Sequence, residues 1–133
     1  MIIADTNLIA YLLIRGQNTA EAEAVFRKDS LWVAPRFWRS EFRNVLVLSL
    51  RHKLIEMEDA LEAMEQAERL IGGQEFEVES SRVLRLAATS GCSAYDCEFV
   101  ALAQNLGVPL VTSDRELIAK FKPGVVSMRA FCS

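Results

Sequence analysis

Short apolar runs alternate with longer segments of helical periodicity along this 133-residue chain, and the alternation restricts the folds open to it. Apolar runs at residues 2–4, 31–34 and 110–112 predict buried strands, and weaker runs near 76–78 and 125–127 predict two more. Short buried strands separated by helices are typical of a parallel sheet covered on both faces. We therefore predict an α/β fold with a short, mostly parallel, twisted sheet flanked by helices.

Seven segments have the apolar spacing of helices, at residues 7–14, 18–27, 37–52, 57–71, 80–90, 94–106 and 114–121. Asn18 is followed three residues later by Glu21, a pair that resembles a capping box and predicts the start of the second helix. No internal repeat, linker or low-complexity segment interrupts the chain, so we expect a single domain over residues 1–133.

The composition is that of a globular protein, with 51% hydrophobic and 25% charged residues. No apolar run approaches the roughly 20 residues that span a bilayer, and no basic segment precedes the first apolar run. We therefore expect no membrane segment, no signal peptide and a cytoplasmic location. Cys92, Cys97 and Cys132 are odd in number and form no C-x-x-C pair, which predicts free thiols.

Four acidic residues lie where apolar runs pass into helix starts or turns: Asp5, Glu41, Asp96 and Asp114. Asp5 and Asp114 follow predicted strands, whereas Glu41 and Asp96 fall in the first turns of predicted helices. In a parallel sheet, strand carboxyl ends and the helix starts that follow them share one edge, where ligands bind. We therefore expect the four carboxyl groups to converge.

Each acid alone has a structural explanation, because Asp can cap a helix and an acid in a first turn complements the helix dipole. Four carboxylates in one pocket, however, raise one another's pKa and require a cation. Mg²⁺ and Mn²⁺ prefer oxygen ligands and support phosphodiester hydrolysis. The uncharged hydrogen-bonding neighbours suited to orient such ligands are Thr6, Asn7, Thr112 and Ser113.

The net charge of −3 neither favours nor excludes a nucleic-acid partner, because setting the four acids aside leaves 15 basic residues facing 14 acidic ones. Other chemistries lack their usual motifs. The only histidine, His52, lies at a predicted helix end, which leaves no histidine base for a serine or cysteine nucleophile. The chain has no phosphate-binding glycine motif and no Cys/His cluster that suggests zinc.

The ordered motifs are IIADTN at residues 2–7, SEF at 40–42, AYD at 94–96 leading into VALA at 100–103, and LVTSD at 110–114. Together they resemble the PIN-domain ribonucleases, and among them the small VapC-type toxins of prokaryotic toxin–antitoxin pairs. The resemblance covers nearly the whole chain and implies a PIN-like, three-layer α/β/α fold. It also implies that Asp5, Glu41, Asp96 and Asp114 bind Mg²⁺ or Mn²⁺ and catalyse endonucleolytic RNA cleavage by a metal-activated water. Glu98 lies about 200° round the helix from Asp96 and is not expected to be a ligand.

The resemblance further implies an RNA substrate, a homodimer and a small DNA-binding antitoxin that covers the site. The predicted helix at 37–52 is apolar on more than one face, whereas a surface helix shows a single stripe. Its second face is expected to meet either a partner or more of the core of the same chain. Arginines near the acids in sequence could hold RNA phosphates or be ordinary surface residues: Arg15, Arg36, Arg39, Arg43 and Arg115.

Two alternatives stay open. A nuclease without a toxin role, in housekeeping RNA processing or acting on DNA, would carry the same acids, because specificity lies in loops, shape and stacking contacts. A non-enzymatic, receiver-like signalling domain would also hold Mg²⁺ with acids at strand ends. That domain needs a phosphoacceptor Asp after a middle strand and a Lys after a later one, where this chain has Pro35 and Asp114.

Overall fold

The computed structural model describes residues 1–133 as five strands and eight helices. The strands are β1 (Ile2–Ala4), β2 (Trp32–Pro35), β3 (Glu75–Phe76), β4 (Leu110–Val111) and β5 (Val125–Val126). The helices are α1 (Thr6–Leu13), α2 (Thr19–Lys28), α3 (Trp38–Arg51), α4 (Met57–Ile71), α5 (Ser80–Ser90), α6 (Ala94–Leu106), α7 (Arg115–Phe121) and α8 (Met128–Cys132). Every predicted strand and helix is therefore present, within one or two residues of its expected bounds.

The five strands all pair in parallel, in the order β3-β2-β1-β4-β5. The chain builds the sheet outward from β1 through β2 to β3, and then crosses to the other side of β1 for β4 and β5. The direction of winding thus reverses between β1 and β4, which is where open α/β sheets bind ligands. Ala4 lies opposite Val111, so the chain leaves these two strands at the same level.

Helices cover the sheet, and a cluster of 31 buried residues fills the space between the layers. Strands β1 and β2 are wholly buried, as expected of the central strands of a parallel sheet. Helix α6 packs against β1, β2 and β4 with α5 against it, whereas α4 packs against β2 beside α1 and α3. The predicted three-layer α/β/α architecture is confirmed. None of the helices is both long and apolar enough to cross a membrane.

The predicted capping box at Asn18 is wrong. Asn18 has helical backbone angles (φ −99°, ψ −1°) and its side chain makes no capping hydrogen bond, whereas an N-cap residue of this kind needs an extended backbone. Thr19 stabilises the turn instead, because its Oγ1 accepts from the Gly16 N–H at 2.9 Å. The sequence also gives no sign of α8, because five residues are too few to show a helical period. Cys92, Cys97 and Cys132 are free thiols, as predicted.

Candidate acidic site

Asp5 is the residue that leaves β1 and precedes α1. Its backbone is extended and its side chain does not cap the helix, so the carboxylate is available for other contacts. Thr112 Oγ1 donates to Asp5 Oδ2 at 2.6 Å, and the Asp5 N–H donates to the Val111 carbonyl at 3.3 Å. The register of β1 against β4 therefore holds the Asp5 carboxylate at the point where the winding of the sheet reverses.

Thr112 also connects Asp5 to Asp114. The hydroxyl of this fully buried residue accepts from the Asp114 N–H at 3.0 Å. Asp114 caps α7, because its Oδ1 accepts from the N–H groups of Glu116 at 2.9 Å and Leu117 at 3.1 Å. The structural explanation of Asp114 as a cap is thus correct, but it uses only one carboxylate oxygen. The other oxygen makes no hydrogen bond within the chain and is free to take a ligand.

Glu41 lies in the first turn of α3, as predicted, and accepts from Thr6 Oγ1 at 2.8 Å. The start of this helix is fixed to β3, because Trp38 Nε1 and Arg39 Nε both donate to Glu75 Oε1, at 2.6 and 2.5 Å. The buried hydroxyl of Thr6 belongs to the first residue of α1. A hydrogen bond between two helix starts therefore orients Glu41 toward the end of β1.

Asp96 lies in the first turn of α6, the helix that crosses β1, β2 and β4. Its N–H donates to Ser93 Oγ at 3.0 Å, so Ser93 caps the helix. Ser93 is not among the residues singled out from the sequence, although a serine three residues before an acid is a capping signal. The cap fixes the turn that carries Asp96.

Three of the four acids have raised pKa values, and charges of neighbouring acids contribute to each shift. Burial raises the pKa of Asp5, and the charges of Asp96 and Asp114 raise it further. Burial likewise raises the pKa of Glu41 to about 7, with contributions from Asp5, Asp96 and Glu98. The pKa of Asp96 is raised first by burial and then by Asp114 and Glu116.

The groups that oppose these shifts are neutral. Hydrogen bonds from Thr112, Thr6 and Ser93 lower the pKa values of Asp5, Glu41 and Asp96 respectively, and no Lys or Arg contributes to any of the three. The ionised form of the site is therefore left without a compensating positive charge from the protein. A bound cation would supply that charge.

The donors present fit a hard divalent cation. No group of three or more His, Cys, Asp or Glu side chains is arranged to hold an ion by itself. Mg²⁺ does not need such a cage, because it keeps several waters and binds through one or two carboxylates together with substrate phosphates. The available ligands are carboxylate oxygens with hydroxyl neighbours, which excludes a thiolate or imidazole site for a softer metal.

The remaining residues predicted around the site, Asn7 and Ser113, are exposed. The side chain of Asn7 makes no hydrogen bond within the chain, whereas Ser113 Oγ lies 3.2 Å from the Tyr11 hydroxyl. Glu98 contributes to the raised pKa of Glu41 although it projects from a different side of α6 than Asp96. Glu116 likewise raises the pKa of Asp96. The sequence alone does not single out Glu116, because an acid in the first turn of a helix is ordinarily explained by the helix dipole.

The arginines near the acids in sequence differ in whether their side chains are free to bind a phosphate. Arg39 is committed to Glu68 and Glu75, at 2.6 and 2.5 Å. Arg36 makes only a long, exposed contact of 3.5 Å with Glu77. Three others are exposed and make no ion pair within the chain: Arg15, Arg43 and Arg115.

Comparison with known proteins identifies the family. The family model for the PIN domain matches residues 2–122. Exonuclease VapC9 from Pyrobaculum aerophilum is 44% identical over 43 residues, and the matched stretch is 32% of this chain and 32% of that protein. The chain thus matches about a third of the length of that curated relative.

Two solved structures share the fold. PAE2754 from Pyrobaculum aerophilum superposes with a TM-score of 0.78 at 22% identity, over 98% of this chain and 85% of that one. FitAcB from Neisseria gonorrhoeae gives a TM-score of 0.72 at 21% identity, over 97% of this chain and 99% of that one. The agreement in fold extends over almost every element, and the family model covers all but the last strand and helix. The chain belongs to the PIN-domain family.

Proposed function

We propose that this PIN-domain protein is an endoribonuclease that depends on Mg²⁺ or Mn²⁺ and serves as the toxin of a toxin–antitoxin pair. The observation that carries the proposal is the raised pKa of Asp5, Glu41 and Asp96 beside the switch point of the sheet, with no basic side chain to offset it. The carboxylates of such a site repel one another when ionised, and a bound divalent cation reduces that repulsion.

The residues of the chain have distinct parts in this proposal. Asp5, Glu41, Asp96 and Asp114 would supply the carboxylate oxygens and the negative charge of the ion's site, in part through waters of the ion. The bound ion would neutralise the acids and the substrate phosphate and provide an activated water for hydrolysis. Thr112 orients the carboxylate of Asp5, and Thr6 orients that of Glu41. Both hydroxyl groups are buried, so their hydrogen bonds hold the carboxylates in place before the substrate arrives.

Cleavage within the RNA chain is supported by the resemblance to VapC-type toxins, whereas the name of the curated relative favours an exonuclease. A circular single-stranded RNA separates the two, because it offers no end. We expect the protein to open the circle in Mg²⁺ or Mn²⁺. Degradation of linear RNA with the circle left intact would assign exonuclease activity instead, and a circular DNA opened in place of the RNA would identify a DNA-directed enzyme.

The catalytic assignment is tested by Asp5→Asn and Asp96→Asn, which keep the size of each side chain and remove its charge. Both variants should fold as the wild type does, as judged by circular dichroism, and both should lose cleavage. Glu62→Gln, which removes an exposed acid from α4, is the matched control and should cleave normally. Full cleavage activity of either Asn variant, or of the wild type in excess EDTA, would contradict the proposal.

The toxin role implies a homodimer and a small DNA-binding antitoxin, and the surface offers a place for a partner. Helix α3 buries Trp38, Phe42 and Leu46, but leaves Leu48 45% exposed on another side. Other exposed apolar residues are found in and just before α4, where Leu54 is 75%, Met57 58% and Leu61 64% exposed. Val47, which is 36% exposed, and Leu48 are thus left uncovered, whereas Val45 and Leu50 of the same helix pack against the core. Several exposed apolar side chains within two adjoining elements are typical of an interaction surface.

Two measurements address the partner and the biological role. Sedimentation of the wild type and of Leu48→Glu should give a dimer and a monomer respectively if this surface joins two copies. Induction of the gene should arrest growth, and co-expression of a neighbouring gene for a small DNA-binding protein should relieve the arrest. Normal growth on induction of an active enzyme would favour a housekeeping nuclease.

A further inference from the structure

Two aromatic rings bridge the helix starts that carry two of the candidate acids. Phe37 precedes α3 and lies four residues before Glu41, whereas Tyr95 directly precedes Asp96 in α6. Their ring centroids are 5.0 Å apart and their planes differ by 17°, so the rings are stacked with an offset. Both members of the stack therefore lie within about one helical turn of a candidate acid.

The two rings are not equally buried. Phe37 packs against the hydrophobic core, whereas Tyr95 remains 60% exposed. Phe37 covers part of one face of the tyrosine ring, which leaves the opposite face available for a second ring to stack on. The hydroxyl of Tyr95 makes no hydrogen bond within the chain. A large aromatic side chain that contributes little to the core and stands at the edge of an acidic site is suited to contact a ligand.

The surroundings favour a nucleic-acid ligand. Arg36 precedes Phe37 and Glu98 lies one turn beyond Tyr95, and both line a surface cleft of about 420 Å³ together with Phe76. Arg36 is held there only by its exposed contact of 3.5 Å with Glu77, so its guanidinium can exchange that carboxylate for a phosphate. The exposed tyrosine therefore provides a stacking surface, and Arg36, which directly precedes the stacking partner Phe37, provides a contact for a phosphate.

We propose that Tyr95, backed by Phe37, stacks on an unpaired base of the nucleic-acid strand next to the phosphodiester that is cleaved. The inference rests on the proposed nuclease function and assigns to Tyr95 a contact with a base of the substrate. A base in a duplex has both faces covered by its neighbours, whereas a base in a loop or single strand can turn out and stack on an aromatic side chain. Tyr95 selects for strand form in this way, and it contributes through the face of its ring and not through its hydroxyl.

Binding is measured by fluorescence anisotropy in the Asp5→Asn background, which blocks cleavage. The probes are a labelled short oligoadenylate, a base-free sugar-phosphate chain of the same length, and the oligoadenylate paired with its complement. One stacked base contributes about fivefold to a hundredfold in affinity. We expect the oligoadenylate to bind more tightly than the base-free chain by about that factor, and Tyr95→Ala to abolish the difference. Tyr95→Phe should retain it, because a phenyl ring still stacks.

The base-free chain controls for a structural role of the aromatic pair. If Tyr95→Ala merely displaced the acids or the helix starts, affinity for the base-free chain and the duplex would fall together with that for oligoadenylate. Leu31→Ala removes another exposed apolar side chain, one that precedes β2 and so lies at the opposite edge of the sheet, and should change none of the three affinities. An unchanged preference for oligoadenylate in Tyr95→Ala overturns the inference. If the wild type still cleaves RNA in that case, only the inference about Tyr95 is wrong and the proposed function is unaffected. A wild type that neither binds nor cleaves nucleic acid contradicts both the inference and the proposed function.

Discussion

Replacing Glu41 by Gln should make the metal-free protein more stable at neutral and alkaline pH. Burial, followed by the charges of Asp5, Asp96 and Glu98, raises the pKa of Glu41 from 4.5 to about 7. The folded carboxyl thus holds its proton more tightly than the unfolded one, so the free energy of unfolding decreases as pH rises from 4.5 to about 7. Gln carries no charge in this range, and its oxygen still accepts the hydrogen bond from Thr6.

The magnitude follows from the size of the pKa change. Each tenfold change in proton affinity is worth about 1.4 kcal/mol, so the full change would correspond to about 3 kcal/mol. The Glu41 side chain is only partly buried, and solvent screens its interactions. We therefore expect Glu41→Gln to raise the free energy of unfolding by about 1–2 kcal/mol at about pH 8, and by much less at about pH 5.

Urea unfolding in EDTA, followed by circular dichroism at both pH values, measures the difference. Glu62→Gln controls for the loss of one negative charge from the protein and should show no comparable gain. Addition of Mg²⁺ should stabilise the wild type more than Glu41→Gln, because the ion relieves the same repulsion. A gain that is independent of pH, or no larger than that of the control, would refute the account of the site as a cluster of uncompensated acids.

Three further results are expected. Thr112→Val should lower the free energy of unfolding by about 1–3 kcal/mol, because the carboxylate of Asp5 and the N–H of Asp114 both lose a hydrogen-bond partner. Thr112→Ser keeps the hydroxyl and should unfold in urea close to the wild type. Equal destabilisation of the Val and Ser variants would contradict this role of the hydroxyl. Asp114→Ala should cost about 1 kcal/mol through the lost cap of α7 and Asp114→Asn much less, although calorimetry should find Mn²⁺ binding weakened in both. Mn²⁺ should raise the Tm of the wild type and leave that of Asp5→Asn nearly unchanged, and equal shifts would show that the ion binds elsewhere.

Much of the fold could be predicted, because short strands and helices leave different periods in the sequence. Helix α6 has the bounds expected from its apolar spacing and its closing glycine, which adopts a positive φ of 66°. The capping box at Asn18 failed because capping depends on a backbone conformation that composition does not determine. The four acids could be proposed as one site because strand ends and helix starts in parallel sheets share an edge.

What the sequence could not provide are the contacts between distant segments. Strand order places β4 beside β1, and only this order puts Thr112 within 2.6 Å of Asp5, a residue 107 positions earlier. The stack of Phe37 on Tyr95 likewise depends on how α3 and α6 pack, and neither residue carries a sign of it in its own segment. Each candidate acid can be identified from its own segment of the sequence, whereas its hydrogen-bond partners depend on the order of the strands and the packing of the helices.

Direct binding of Mn²⁺ tests the central claim, that the four acids form a divalent-metal site. Free Mn²⁺ gives an electron paramagnetic resonance signal that decreases when the ion binds a protein, so titration at neutral pH counts bound ions without reference to cleavage. The wild type and Glu62→Gln should both remove the signal, whereas Asp5→Asn and Asp96→Asn should leave most of it. Equal binding by all four proteins, or no binding by the wild type, would contradict the account.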